Sequence, residues 1–158
     1  MKKNKIKDTG LEVTELSFGT SSLGSMPDTY GYEVPEERAQ KTLNRFFQGP
    51  VNMLDTSRNY AMGESEKRIG KAIKENGGWP NAFLLSTKLD RNMDTLVLDK
   101  NRVRESLEES LKTLNVDSVD ILFLHDPEYA KDITDITKKD GAMDELFKIK
   151  NEGLAKAA

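Results

Sequence analysis

A chain of 158 residues is long enough to fold as one domain with a real core, burying about two thirds of its unfolded surface, and too short for most two-domain enzymes. With 36% hydrophobic residues, 32% charged residues and a net charge of -3, it lacks both the basic excess of a nucleic-acid binder and any apolar run able to span a membrane, so neither nucleic acid nor membrane is an expected partner. The lack of cysteine excludes disulfides, thiolate nucleophiles and thiolate metal sites, and no apolar export signal follows Met1, which makes a reducing cytoplasm the expected compartment.

Taken in order, the chain alternates short apolar runs with longer amphipathic segments, the pattern of repeated βα units over a parallel sheet. "KIKDTGLEV" opens it as a hairpin turning at Asp8, Thr9 and Gly10, and "LSFGT" at 16–20 is the first core run. A helix is predicted from about Pro35, with Glu36 and Glu37 at the positive end of its dipole and Leu43, Phe46 and Phe47 facing inward, ending at Gly49 and Pro50. The strand "VNMLD" follows, then a helix over about 64–76 that buries Ile69, Ala72 and Ile73 and stops at Gly77 and Gly78. "FLLSTK" is a third strand. The next helix, about 101–114, lines up Val103, Leu107, Leu111 and Leu114 on one stripe with charges opposite. "VDILFLH" is a fourth strand, a fourth helix covers about 142–151, and "LAKAA" opens a fifth strand.

Four strands thus finish at Thr20, Asp55, Lys88 and His125. In a parallel βα array those ends share one face, and in βα barrels that face carries the active site, because rigid strands present residues to variable loops. Each residue alone has a plainer reading: a polar strand end is usually just solvated, and a lone histidine is more often packed than catalytic. The joint placement of Asp55, Lys88 and His125, with Tyr60 a short loop beyond Asp55, outweighs those readings. A single histidine without cysteine gives no zinc set, Asp55, Asp90 and Asp126 form no pattern that demands magnesium, and no G-x-S-x-G elbow marks a hydrolase, so no metal is expected.

The stretches "NMLDTSRNYAMGESEKRIGKAI", "FLLSTK" and "VDILFLHDPE", with "LSFGT" before them and "ESLKTLNVDSVD" between, resemble the aldo-keto reductases, in the right order and over essentially the whole chain. "DTSRNY" and "LHDPE" are similar to the branch that oxidises aldose sugars at the anomeric carbon. The chain departs from the common pattern at Ala61, where many relatives have glycine after the tyrosine.

The resemblance implies an α/β fold of the (β/α)8 TIM-barrel type and an oxidoreductase using NADP or NAD on a small carbonyl or sugar substrate. Its implied catalytic residues are Asp55, Tyr60, Lys88 and His125. Tyr60 would pass a proton to the carbonyl oxygen, or take one from the alcohol. Lys88 would supply the cation that stabilises a phenolate, Asp55 would hold that lysine, and His125 would hydrogen-bond the substrate oxygen. Gly19, Thr20 and Asp55 would touch the nicotinamide end of the cofactor. No G-x-G-x-x-G or Walker loop is present, and in the family the groups that grip the phosphates follow the fifth strand.

A complete barrel needs about 250 residues. Four βα units and the start of a fifth strand therefore read as the N-terminal half of one barrel, a single incomplete domain over 1–158. Its open edges and inner face are expected to self-associate, and the fragment alone is expected to be inactive. A non-catalytic binding or regulatory module on the same scaffold stays open, although Tyr60 and Lys88, whose loss would mark such a module, are both present.

Overall fold

The computed structural model of the chain describes residues 1–158. Strands β1 (Lys3–Lys5) and β2 (Glu12–Thr14) form the expected antiparallel hairpin, with Lys3 opposite Thr14. Its turn places Asp8 and Gly10 at φ of 61° and 73°, left-handed backbone that glycine accepts freely and aspartate tolerates. Thr9 fixes the turn by donating to the Ile6 carbonyl at 2.8 Å and accepting from the Leu11 N–H at 3.1 Å.

The elements that follow are β3 (Phe18–Gly19), α1 (Pro27–Tyr30), α2 (Glu36–Phe47), β4 (Met53–Asp55), α3 (Glu64–Glu75), β5 (Leu84–Leu89), α4 (Lys100–Leu114), β6 (Val119–Leu124), α5 (Thr134–Thr137), α6 (Ala142–Asn151) and β7 (Ala155–Ala157). The first core run shortens to two residues, since Leu16 is 62% exposed and its carbonyl accepts from the Thr14 hydroxyl instead of a strand partner. The short helices α1 and α5 have no periodicity to announce them. α1 consists of one turn that starts on Pro27 and closes on Gly31 at φ 74°.

Strands β3 to β7 form one parallel sheet in chain order, each beside the strand made before it. Leu54 of β4 pairs with Leu85 of β5, and Ser86 of β5 with Ile121 of β6. Helices cover one side. Their apolar stripes, such as Ala39, Leu43 and Phe46 of α2 or Val103, Leu107 and Leu114 of α4, join Leu54, Leu85, Leu89 and Leu122 in a core cluster of 22 buried residues. Phe47 and Leu111, expected inside, are only partly buried at its margin. Gly70 lets α3 meet α4: a Cβ there would stand 2.0 Å from the Thr113 carbonyl oxygen.

Because side chains alternate along a strand, the opposite side of the sheet carries the other parity. At its amino end Leu84, Ile121 and Ala157 cluster with Leu11 from the hairpin region, which closes the floor. Further along the same side stand Asp55, Ser86 and Lys88, bonded to one another. Apolar floor, polar middle and open top thus follow from position along each strand.

Candidate active site

Lys88 is held from two directions. Its ammonium donates to Asp55 Oδ2 at 2.7 Å and to the Thr56 carbonyl at 2.8 Å, while Ser86 Oγ donates to the other Asp55 oxygen at 2.9 Å. The Lys88 and Asp55 side chains are only 14% and 25% exposed, so this pair is largely shielded from water, where a charge interaction weakens least. The Tyr60 ring lies over the same ammonium, with Lys88 Nζ 4.8 Å from its centroid. The lysine therefore stands between carboxylate and phenol, approaching Tyr60 through its ring.

His125 follows β6 directly, and its N–H donates to the Leu89 carbonyl at 3.0 Å, which anchors it beside β5. The imidazole packs edge-on against Tyr60, with centroids 5.8 Å apart and planes at 81°. Asp55, Tyr60, Lys88 and His125 are thus brought together on the open end of the sheet. Lys88 is the penultimate residue of β5 rather than its last.

Beneath the histidine lies a set of residues that strand-end reasoning missed. His125 Nδ1 contacts Asp90 Oδ1, and Asp90 Oδ2 accepts from Ser57 Oγ at 2.7 Å and from the Asn59 N–H at 3.1 Å. Ser57 and Asp90 are fully buried. The signal available in the sequence was an aspartate two residues past the strand-end lysine, in "KLDR".

Thr20 is buried, and both its N–H and its hydroxyl donate to the Asp55 carbonyl, at 3.0 and 2.9 Å. It acts on the site as a brace between β3 and β4. Gly19 is exposed, and no atom lies within 4 Å of where a side chain would begin. Gly19 thus leaves open space beside Asp55, and these two are the groups that could border a cofactor ring there.

The parallel βα array gathers a carboxylate, an ammonium, a phenol and an imidazole at the carboxyl ends of its strands, the face on which barrel enzymes carry their sites. The model of the aldo/keto reductase family matches residues 15–158, and the chain belongs to that family. It is 36% identical over 146 residues to L-galactose dehydrogenase of Arabidopsis thaliana, covering 92% of this chain and 44% of that protein. To the aldo-keto reductase YhdN of Bacillus subtilis it is 33% identical over 131 residues, 81% of this chain and 39% of that one. A probable voltage-gated potassium channel subunit beta of Arabidopsis thaliana is 28% identical over 141 residues, 87% of this chain and 41% of that protein.

Among solved structures, the holo form of the aldo-keto reductase AKR11C1 from Bacillus halodurans superposes with a TM-score of 0.73 at 26% identity, over 99% of this chain and 48% of that one. The thermostable aldo-keto reductase Tm1743 superposes with a TM-score of 0.76 at 23% identity, covering 99% and 52%. The chain therefore spans about half the length of the proteins it matches. Its five-stranded parallel sheet corresponds to part of their barrel, as the strand pattern implied.

Proposed function

We propose that the chain is the N-terminal half of an aldo-keto reductase barrel and supplies the acid–base wall of an oxidoreductase acting on a small carbonyl compound or a sugar hydroxyl. NADP or NAD, when bound against Gly19 and Asp55, would donate or accept the hydride. Tyr60 gives a proton to the substrate oxygen in reduction and takes one from it in oxidation. Lys88 keeps positive charge against the phenol, so negative charge developing there is stabilised where it forms. Asp55 holds that ammonium, Ser86 holds Asp55, and His125 orients the substrate oxygen beside Tyr60.

The observation that carries this reading is the Lys88 ammonium fixed between the Asp55 carboxylate and the Tyr60 ring. Similarity to a protein named for oxidising L-galactose supports the sugar hydroxyl within the substrate class. Similarity to a channel subunit favours a second reading, a regulatory module that binds cofactor without relevant turnover.

Co-expressing the chain with the C-terminal half of the Arabidopsis L-galactose dehydrogenase, and following the reduced nicotinamide by absorbance, separates the two readings. The complemented barrel should turn over. Tyr60→Phe should then lower kcat by about a thousandfold, within the usual range for a lost general acid, while cofactor affinity stays unchanged. Undiminished kcat in the phenylalanine variant would remove Tyr60 from the proton transfer.

A further inference from the structure

The Asp90 carboxylate, buried below the imidazole, has no part in the roles assigned above, yet its surroundings constrain which ring nitrogen of His125 carries a proton. An ionised carboxylate only accepts hydrogen bonds. Asp90 Oδ2 already receives the Ser57 hydroxyl and the Asn59 N–H, and Oδ1 faces His125 Nδ1. Ser57 Oγ also lies 3.1 Å from Nδ1, but its one hydrogen is directed to Asp90. A bare Nδ1 would thus point its lone pair at two oxygens that present lone pairs in return, in a site too dry to soften the repulsion. A proton on Nδ1 turns both contacts favourable.

We propose that Asp90 is a positioning residue that fixes the Nδ1–H tautomer of His125, so that the neutral ring meets its ligand through a bare Nε2 and the group it orients is a hydroxyl. The proposal rests on the reading that His125 faces the substrate. A neutral imidazole has one donor and one acceptor nitrogen, so spending the donor on Asp90 leaves only an acceptor for the other side. Nε2 has no hydrogen-bond partner within the chain: Asp126 Oδ1, the nearest carboxylate oxygen, is 3.8 Å away. An alcohol or hemiacetal O–H can donate to that nitrogen. A carbonyl oxygen, which has only lone pairs to offer, meets a donor there only after the ring takes a second proton. The class of ligand that suits the resting site is therefore a hydroxyl compound awaiting oxidation.

His125 is the only histidine in the chain, so the test has one ring to read. Long-range 1H–15N correlation spectra of the 15N-labelled chain, recorded over a pH titration, distinguish a protonated pyrrole-type nitrogen from a bare pyridine-type one by their separate 15N ranges. In the neutral form we expect pyrrole-type Nδ1 and pyridine-type Nε2. Asp90→Asn, which can turn an amide N–H toward Nδ1, should lose that fixed pattern and move toward Nε2–H, whereas Ser57→Ala, which keeps the carboxylate, should preserve it. A neutral wild-type ring carrying its proton on Nε2 would overturn the proposal even if Asp90→Asn failed to fold, and so would an Asp90→Asn spectrum identical to wild type. The ring is read without turnover, so this result is independent of whether Tyr60 moves a proton.

Discussion

Glu66 is a fully buried carboxylic acid on the helix-covered side of the sheet. Thr87 Oγ1 donates to its Oε1 at 2.7 Å, Oε2 is buried without a partner, and the Ser110 hydroxyl adjoins the group without a well-formed hydrogen bond. Burial pushes its pKa up to about 7, against the pull of Thr87. A folded pKa above the unfolded 4.5 means that the native state holds this proton more tightly. Stability from this group is therefore complete below about pH 4.5, is lost as pH rises toward 7, and stays lost above it. The loss amounts to about 3 kcal/mol. Glu66→Gln keeps an acceptor for Thr87 and removes the charge, so it should stabilise the chain at pH 8 by up to that amount and leave it nearly unchanged at pH 4.5. Urea unfolding at the two pH values checks this, and equal effects at both would show that folding does not raise the Glu66 pKa. Asp55, Lys88 and His125 could be found from the sequence because an apolar run marks where each strand ends. The burial of Glu66 and Asp90 could not, since the covering of a charge in a helix's first turn or in a loop depends on the neighbouring segment, and no period in the chain encodes that neighbour.

Element boundaries were legible wherever one face is buried and the period is long. α6 begins and ends at the predicted residues, α4 begins one residue early, and the Gly77–Gly78 stop takes up left-handed φ values of 81° and 123°. What periodicity could not specify was the loop carrying Tyr60, where Ala61 and Met62 sit at φ of 51° and 55°. Left-handed backbone costs a side-chain-bearing residue roughly 1 to 2 kcal/mol, and glycine escapes most of that. The Ala61 methyl occupies the space that Gly24 leaves free in the β3–α1 loop, since a Cβ on Gly24 would fall 2.3 Å from it. Ala61→Gly should therefore raise the unfolding free energy by about 0.5–1 kcal/mol, the relieved strain less the freedom that glycine adds to the unfolded chain. Denaturant titration reads this directly, and a loss of stability would mean that the methyl's packing outweighs the backbone strain.

At the scale of the whole molecule, the sheet has two unpaired edges, β3 and β7. Phe123 points from β6 with 44% exposure, and a cleft of about 520 Å³ beside β3 is lined by Phe18, Phe46 and Val51. Unpaired edges and open apolar surface favour association. The purified chain should elute as a dimer or larger species and show no nicotinamide-dependent turnover, because most of the expected grip on the cofactor comes from elsewhere in the barrel. Light scattering and an absorbance assay on one sample address both statements, and a monodisperse monomer that turns over cofactor would contradict them. The barrel class was legible because strand and helix alternate. The hairpin's seat was not, since Leu11 joins Leu84, Ile121 and Ala157 from strands far along the chain. That seat also orders assembly during synthesis. Each of β4 to β7 can pair with a neighbour the ribosome has already released, but Leu11 completes its contacts only after Ala157 of β7 has emerged. The hairpin thus leaves the ribosome before β3 to β7 and completes its packing after them.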